Sequence, residues 1–376
     1  MVLDTIIIGA GAMGSAAAYW LSKYQDVALV EQFDFLHDRG SSHGQSRVTR
    51  KTYRQDYFAE MMKTSYQLWD DIQTETQISV FQKTGGLDVG QQGNEDLAQT
   101  HNICEATELP YELLDYKELM NRHPAYCVDD DYYAIYQPDT GILNATKAVN
   151  MFQQRAARQG AQLQQHTPVT SIHPYENYIV VDTPQGSYRG KNLVITAGTW
   201  INMLLDQFDL QVQVDIWKLT FAYWRVTKPE YFSPERFPVF IHWAENDDYG
   251  FPISERPGYV KIAPHFNDLI DKTPEKDGIN PVNTTLLDHL SDFIGSTFQG
   301  VSTTPEFAET CLYTMTQDEN FIIDSLPDHD NIIVAGGFSG HGFKFTPLIG
   351  KLIQQMVMHE DLSHDLSPFA LKHVIR

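Results

Sequence analysis

The chain is poor in cysteine, in basic residues and in long apolar runs. It has three cysteines in 376 residues, Cys104, Cys127 and Cys311. None forms a CxxC or CxxxH pair, so no metal site is expected. A low, odd count fits a reducing compartment, and a cytoplasmic protein is expected. Lys and Arg number 27 against 49 Asp and Glu, a formal charge of −22. Such a balance argues against nucleic acid and anionic membrane surfaces as partners, though a local basic pocket remains compatible with it. No stretch reaches the roughly 18 apolar residues of a membrane span. The N-terminal apolar run lacks a basic flank and enters a glycine turn, so it does not read as a signal peptide.

What the sequence does contain is organised around its first thirty residues. Leu3 to Ile8 is an apolar, branched run, followed by Gly9-Ala10-Gly11-Ala12-Met13-Gly14, a helical Ala16–Leu21 and a second strand ending in Glu31. Strand, glycine turn, helix, strand and acid is the pattern of a dinucleotide site. Gly9 permits the tight turn, Gly11 admits a pyrophosphate, and Gly14 brings helix and strand together. The helix N-terminus offers free N–H groups to phosphate. Glu31, 17 residues beyond Gly14, is placed to accept from a ribose hydroxyl. These features do not choose between FAD and NAD.

The length suits two domains. Residues 47–54 form a dense basic cluster behind Gly40–Gly44, a stretch with several possible N-caps. Residues 57–75 read as a helix with a core stripe of Phe58, Met61, Met62, Leu68, Trp69 and Ile72. Residues 95–122 are expected to be helical, 144–160 a helix stopping at glycine, and 193–200 a buried strand returning to the nucleotide sheet. From 212 to about 265 aromatic-rich strands suggest an antiparallel second domain. A surface loop is expected over 268–281, and helices over 282–298 and 346–358. The last is opened by a second glycine-rich turn, Gly336–Phe345, which NAD binding does not require. The expected class is α/β (α+β): a Rossmann-like domain from 1–85, 144–211 and 318–376, and an antiparallel-sheet substrate domain from 86–143 and 212–317.

Seven stretches carry a family resemblance: IIIGAGAMGSAAAYWL, GSSHGQSRVTRKTY, VITAGTW, YGFP, KIAPH, CLYTMTQDENFIID and GGFSGHGFKF. Through them the whole chain resembles the monomeric sarcosine oxidase and N-methyltryptophan oxidase family, within the D-amino-acid-oxidase-like flavoproteins. The resemblance implies FAD, a monomer, and oxidation of secondary amino acids to imines, with molecular oxygen reduced to hydrogen peroxide. Cys311 matches the cysteine that the family joins to the flavin 8α-methyl carbon. Ser46, Arg47, His43 and Gly340 fall in segments near the flavin. Arg50 and Lys344 match the pair that holds the substrate carboxylate. Lys261 matches the lysine held to promote reaction with oxygen, and His265, Tyr249 and Tyr313 match pocket residues.

The physical chemistry of these residues agrees with that assignment. A carboxylate leaving water needs charged donors, bidentate from Arg and point-like from Lys. A lysine at a helix N-terminus opposes the dipole, so Lys344 calls for an anion. A fixed cation stabilises charge developing on oxygen. Departures from the sarcosine pattern, at Ile241, His242, Trp243 and one additional residue between Tyr249 and Lys261, leave substrate identity open. Three rival readings are an NAD-dependent dehydrogenase, a flavin dehydrogenase with another acceptor, and a non-catalytic flavin-binding subunit.

Overall fold

Leu3–Ile8 forms a central strand because its branched, apolar residues are buried on both faces, as a parallel strand covered by helices requires. The structure, a computed structural model, describes residues 2–244, 247–264 and 282–375. Val27–Val30 and Gly186–Ile195 flank this strand, both parallel to it. Gln162–Gln164 extends the sheet beyond Val27–Val30. His329–Gly336 runs parallel to the end of Gly186–Ile195, so the 193–200 segment does return to the first sheet. Ser171–Pro174, Ile179–Thr183 and Ile322–Leu326 complete it by antiparallel pairing. The helix Ala12–Leu21 covers this sheet together with Thr346–Val357. The two helices approach so closely that a Cβ on Gly350 would stand 2.7 Å from the Ala16 carbonyl carbon.

A second eight-stranded sheet draws on 86–137 and 214–316. Its long strands, Val214–Val226 and Val301–Thr316, pair antiparallel, and Tyr259–Pro264, Asp248–Phe251 and Val239–Trp243 follow in order. Val239–Trp243 then meets Gly86–Gln91 in parallel, which departs from the expected antiparallel pattern. That junction joins two distant chain segments, so no hairpin dictates its direction. The fold is mixed α/β, and a small sheet of Ser46–Thr49, Gly141–Asn144 and Phe81–Lys83 lies within it.

The helix Asp56–Thr76 buries the whole predicted stripe of Phe58, Met61, Met62, Leu68, Trp69 and Ile72. Two expectations fail locally. Residues 95–122 are not one helix: Glu95–Ala106 ends before Glu108 at φ +53°, and Glu112–Asp115 and Tyr116–Arg122 follow. Pro110 has no N–H and disfavours helix at Leu109, while Asp115 and Glu118 form a capping box that starts the next helix. Nor does Gly40–Gly44 cap a helix. Ser46–Thr49 is extended and pairs with Gly141–Asn144. His265 and the loop expected over 268–281 lie outside the described residues.

Candidate functional site

The glycine turn takes its shape from close approaches. Gly9 has φ +97°, and a Cβ there would sit 2.5 Å from the Thr196 carbonyl oxygen. A Cβ on Gly14 would sit 1.9 Å from the Gly9 oxygen, so Gly14 serves helix–strand packing and does not line the cleft. At Gly11 the nearest atom would be Ser42 Oγ at 3.2 Å, and Ser42 Oγ accepts from Ala12 N at 3.0 Å. Glu31 is 5% exposed and accepts from Ala10 N at 2.8 Å and Phe33 N at 3.1 Å, one bond to each carboxylate oxygen. Each oxygen retains lone pairs, and Glu31 lines the cleft as expected. The cleft encloses about 1580 Å³, its open mouth included, and runs from Gly9 and Gly11 to Tyr313 and Gly340. A glycine turn with small side chains, a helix N-terminus that lines the cleft and a buried acid fit a dinucleotide along its length.

The far end of the cleft is built by the basic segment. Arg47 donates to the carbonyls of Ser46 at 2.8 Å, Ser41 at 2.9 Å and His43 at 2.5 Å, which fixes the preceding loop. His43 Nε2 meets the Thr310 carbonyl at 2.8 Å, tying that loop to the strand of Cys311. Burial first, and then the Arg47 charge, lower His43 to about 4, so it is neutral near pH 7. Burial pushes the Cys311 thiol up, and Arg47 and Lys261 pull it down. Cys311 and Tyr313 are two apart on one strand and share a face.

Lys261 sits on an interior strand, not an edge, and is 5% exposed. Its Nζ donates to Ser46 Oγ and to Glu255 Oε1, each at 3.2 Å. Burial lowers its pKa, and Glu255 opposes the fall. Burial alone would raise Glu255, but the Lys261 charge and hydrogen bonds from Ser46 and Tyr223 bring it to about 2. Lys261 and Cys311 line neither cavity, whereas Ser46 and Arg47 line the second.

That second cavity of about 1520 Å³, its opening included, shares Arg47, Tyr313, Gly340 and Phe343 with the first. Arg50, Lys344, Tyr249, Ile241 and Trp243 also line it. Lys344 is 8% exposed and donates to Tyr53 Oη at 2.8 Å and the His341 carbonyl at 3.2 Å. Ser65 and Trp69 hold its own carbonyl at 2.6 and 2.9 Å, so the core helix positions it. Among the described residues no carboxylate lies within ion-pair distance of Lys344, and burial followed by Arg50 drives its pKa far down. Arg50 pairs at 3.2 Å with the buried Asp88. Asp88 also accepts from Trp243 Nε1 at 2.9 Å and Gln137 Nε2 at 2.7 Å. Burial raises Asp88, against the pull of Arg50 and of both donors. Burial also raises Tyr249, to about 12, partly offset by a hydrogen bond from Tyr313. Strand alternation turns Ile241 and Trp243 into the cavity, while His242 stacks on Tyr132 on the opposite side.

The sequence reading missed Asp88, Tyr53, His341 and Glu255. A charge between Leu87 and Val89 in an apolar strand was a usable signal for Asp88. Tyr53 and His341 stand inside stretches already singled out. Nothing local marks Glu255, which lies in a turn.

Comparison with known proteins agrees with this geometry. The FAD dependent oxidoreductase family matches residues 4–356. The chain is 34% identical to peroxisomal sarcosine oxidase of Homo sapiens over 98% of its own length and 95% of the relative's. It is 31% identical to N-methyl-L-tryptophan oxidase of Salmonella dublin over 99% of each chain. Among solved structures, NikD, an amino acid oxidase of nikkomycin biosynthesis, superposes with TM-score 0.89 at 21% identity over 98% of this chain and 97% of that one. L-proline dehydrogenase from P. horikoshii gives 0.85 at 20% identity, covering 98% and 96%. Both share the fold. With a glycine turn, a dinucleotide cleft and a near full-length match, the chain belongs to the FAD dependent oxidoreductase family.

Proposed function

We propose that the protein is an FAD-dependent oxidase of N-alkyl amino acids, of the sarcosine or N-methyltryptophan type. The product imine hydrolyses to a primary amine and an aldehyde, and oxygen becomes hydrogen peroxide. The observation that carries this reading is Lys344, a buried lysine whose charged form has no acidic partner among the described residues, beside Arg50 in a cavity that meets the dinucleotide cleft. Burying such a charge is costly unless an anion completes it. The sarcosine and N-methyltryptophan oxidases among its relatives act on substrates that carry that anion.

In this reading segments 1–85, 144–211 and 318–376 hold the cofactor, and 86–143 with 212–317 cover the substrate. Bound FAD supplies the two-electron acceptor. Arg50 and Lys344 clamp the carboxylate and set the amine nitrogen near the shared wall of Arg47, Tyr313 and Gly340. Their positive charge and burial in the cavity disfavour the ammonium form, so the substrate reacts as the neutral amine. Tyr249 and Tyr313 border the amine, and the family resemblance assigns His265, outside the described residues, to the same pocket. Cys311 anchors the cofactor through its sulfur.

Lys261 supplies the fixed cation for oxygen. Lys261→Met should slow reoxidation by roughly a hundredfold, about 3 kcal/mol, and leave reduction by substrate nearly unchanged. Stopped-flow measurement of the two half-reactions, with peroxide quantified, tests this. Equal slowing of both, or reoxidation at the native rate, would remove the role.

A further inference from the structure

We propose that Glu255 is a positioning residue for Lys261: its carboxylate keeps the lysine an ammonium and fixes its Nζ against Ser46, which lines the second cavity beside Arg47. The inference rests on the reading of Lys261 as the cation that faces oxygen, and extends it to a residue that meets neither substrate nor cofactor.

The geometry is specific. Glu255 and Lys261 side chains are each 6% exposed and 3.2 Å apart. Glu255 is itself held from two other elements, by Ser46 N at 2.6 Å to Oε1 and by Tyr223 Oη at 2.6 Å to Oε2. It is therefore an anchored anion and not a drifting side chain. Around Lys261 the packing is mostly aromatic, with Nζ 4.3 Å from the Phe221 ring centroid, 5.5 Å from Phe251 and 6.0 Å from Tyr223. Ring faces offer some attraction, but not the hydration that an ammonium gives up on burial.

The other titratable groups near Lys261 do not replace Glu255. Arg47 faces it across Gly44, where a Cβ would lie 3.7 Å from Arg47 Nη1 and 4.0 Å from Lys261 Nζ. That neighbour is a cation and disfavours a second one. His43 is held neutral by burial and by Arg47. Cys311, on Val301–Thr316, is kept largely as a thiol by burial. Tyr223 and Tyr249 are both raised, so neither is an anion near neutral pH. Beyond Tyr223, Arg256 and Glu309 pair with each other at 2.6 Å. Among the described groups this leaves Glu255 as the anion that offsets burial at Lys261. A lysine without it would lose its proton at lower pH, and only the protonated form can stabilise negative charge on oxygen.

The test uses Glu255→Gln, which keeps the shape and removes the charge. Holoenzyme labelled with lysine carrying 13C at the ε-carbon is titrated by NMR in its oxidised state, with the Lys261 resonance assigned by its loss in Lys261→Met. The Lys261 midpoint should fall by roughly two pH units or more relative to the native protein. Reoxidation by oxygen should then slow as pH rises through that lower midpoint, about tenfold per unit, towards the Lys261→Met rate. Glu255→Asp, which retains the charge one methylene further away, should fall between the two and serves if the Gln variant does not fold. An unchanged Lys261 midpoint in whichever variant folds would overturn the proposal, whatever the oxygen kinetics. A lowered midpoint, with Lys261→Met reoxidising at the native rate, would support the Glu255 pairing and reject the oxygen role of Lys261.

Discussion

Lys344→Met should weaken binding of carboxylate substrates by roughly two to four orders of magnitude, with cofactor attachment intact. Removing one member of a buried charge pair costs about 3–5 kcal/mol, and the lost partner here would be the substrate's own carboxylate. Methionine preserves the length and apolar stem, and Tyr53 retains His341 Nδ1 at 3.1 Å. Arg50→Ala should have a comparable effect on affinity, but it also strands Asp88 in the interior, so its stability must be measured alongside. The clamp predicts a pH dependence as well. Lys344 binds a carboxylate only while protonated, and burial lowers its pKa in the free enzyme. Affinity should therefore be highest at lower pH and fall as pH rises through that depressed value. Steady-state kcat/KM against pH, in the native protein and in Lys344→Met, checks both points. A native profile that the substitution leaves unchanged would place the carboxylate elsewhere.

Cys311→Ser should change flavin retention from complete to nil on acid precipitation. Attachment exchanges the thiol S–H and a methyl C–H for a C–S bond, and the two electrons released pass to an oxidant such as oxygen. Serine cannot supply a comparable nucleophile at neutral pH, while the glycine turn, Glu31 and Arg47 remain to bind the nucleotide reversibly. In the native protein the yellow colour should stay with the pellet, and a peptide containing Cys311 should carry the added mass. The positive charges of Arg47 and Lys261 oppose the upward push of burial on this thiol, so their presence favours the reactive form. Flavin released entirely from the native protein would exclude the bond.

Much of this arrangement was legible in residue order. The first βαβ unit declared itself because turn geometry, helix N-terminus and acid are local features, and the structure adds only which backbone atoms the glycines avoid. The core helix Asp56–Thr76 was equally plain from its apolar period. Arg50, Lys344, Tyr249 and Tyr313 meet in one cavity, as the family pattern implied. What residue order did not carry was pairing across distance. Asp88 finds Arg50 and Trp243 only because Gly86–Gln91 lies beside Val239–Trp243 in the sheet. Glu255 reaches Lys261 because a turn folds back over its own strand and is pinned by Ser46, 209 positions away. The wrong helix over 95–122 has a different, local cause: composition permitted a helix, and one proline with a capping box decided otherwise.

Oxidation of an N-alkyl amino acid held by its carboxylate can be tested directly. The most direct measurement is peroxide formation in air from sarcosine, N-methylalanine, N-methyltryptophan and proline, each compared with its methyl ester. At least one free acid should be oxidised with one peroxide formed per turnover, and its ester should be poorer by roughly a hundredfold or more. Esters turned over as fast as the acids, or none of these acids oxidised, would contradict this reading.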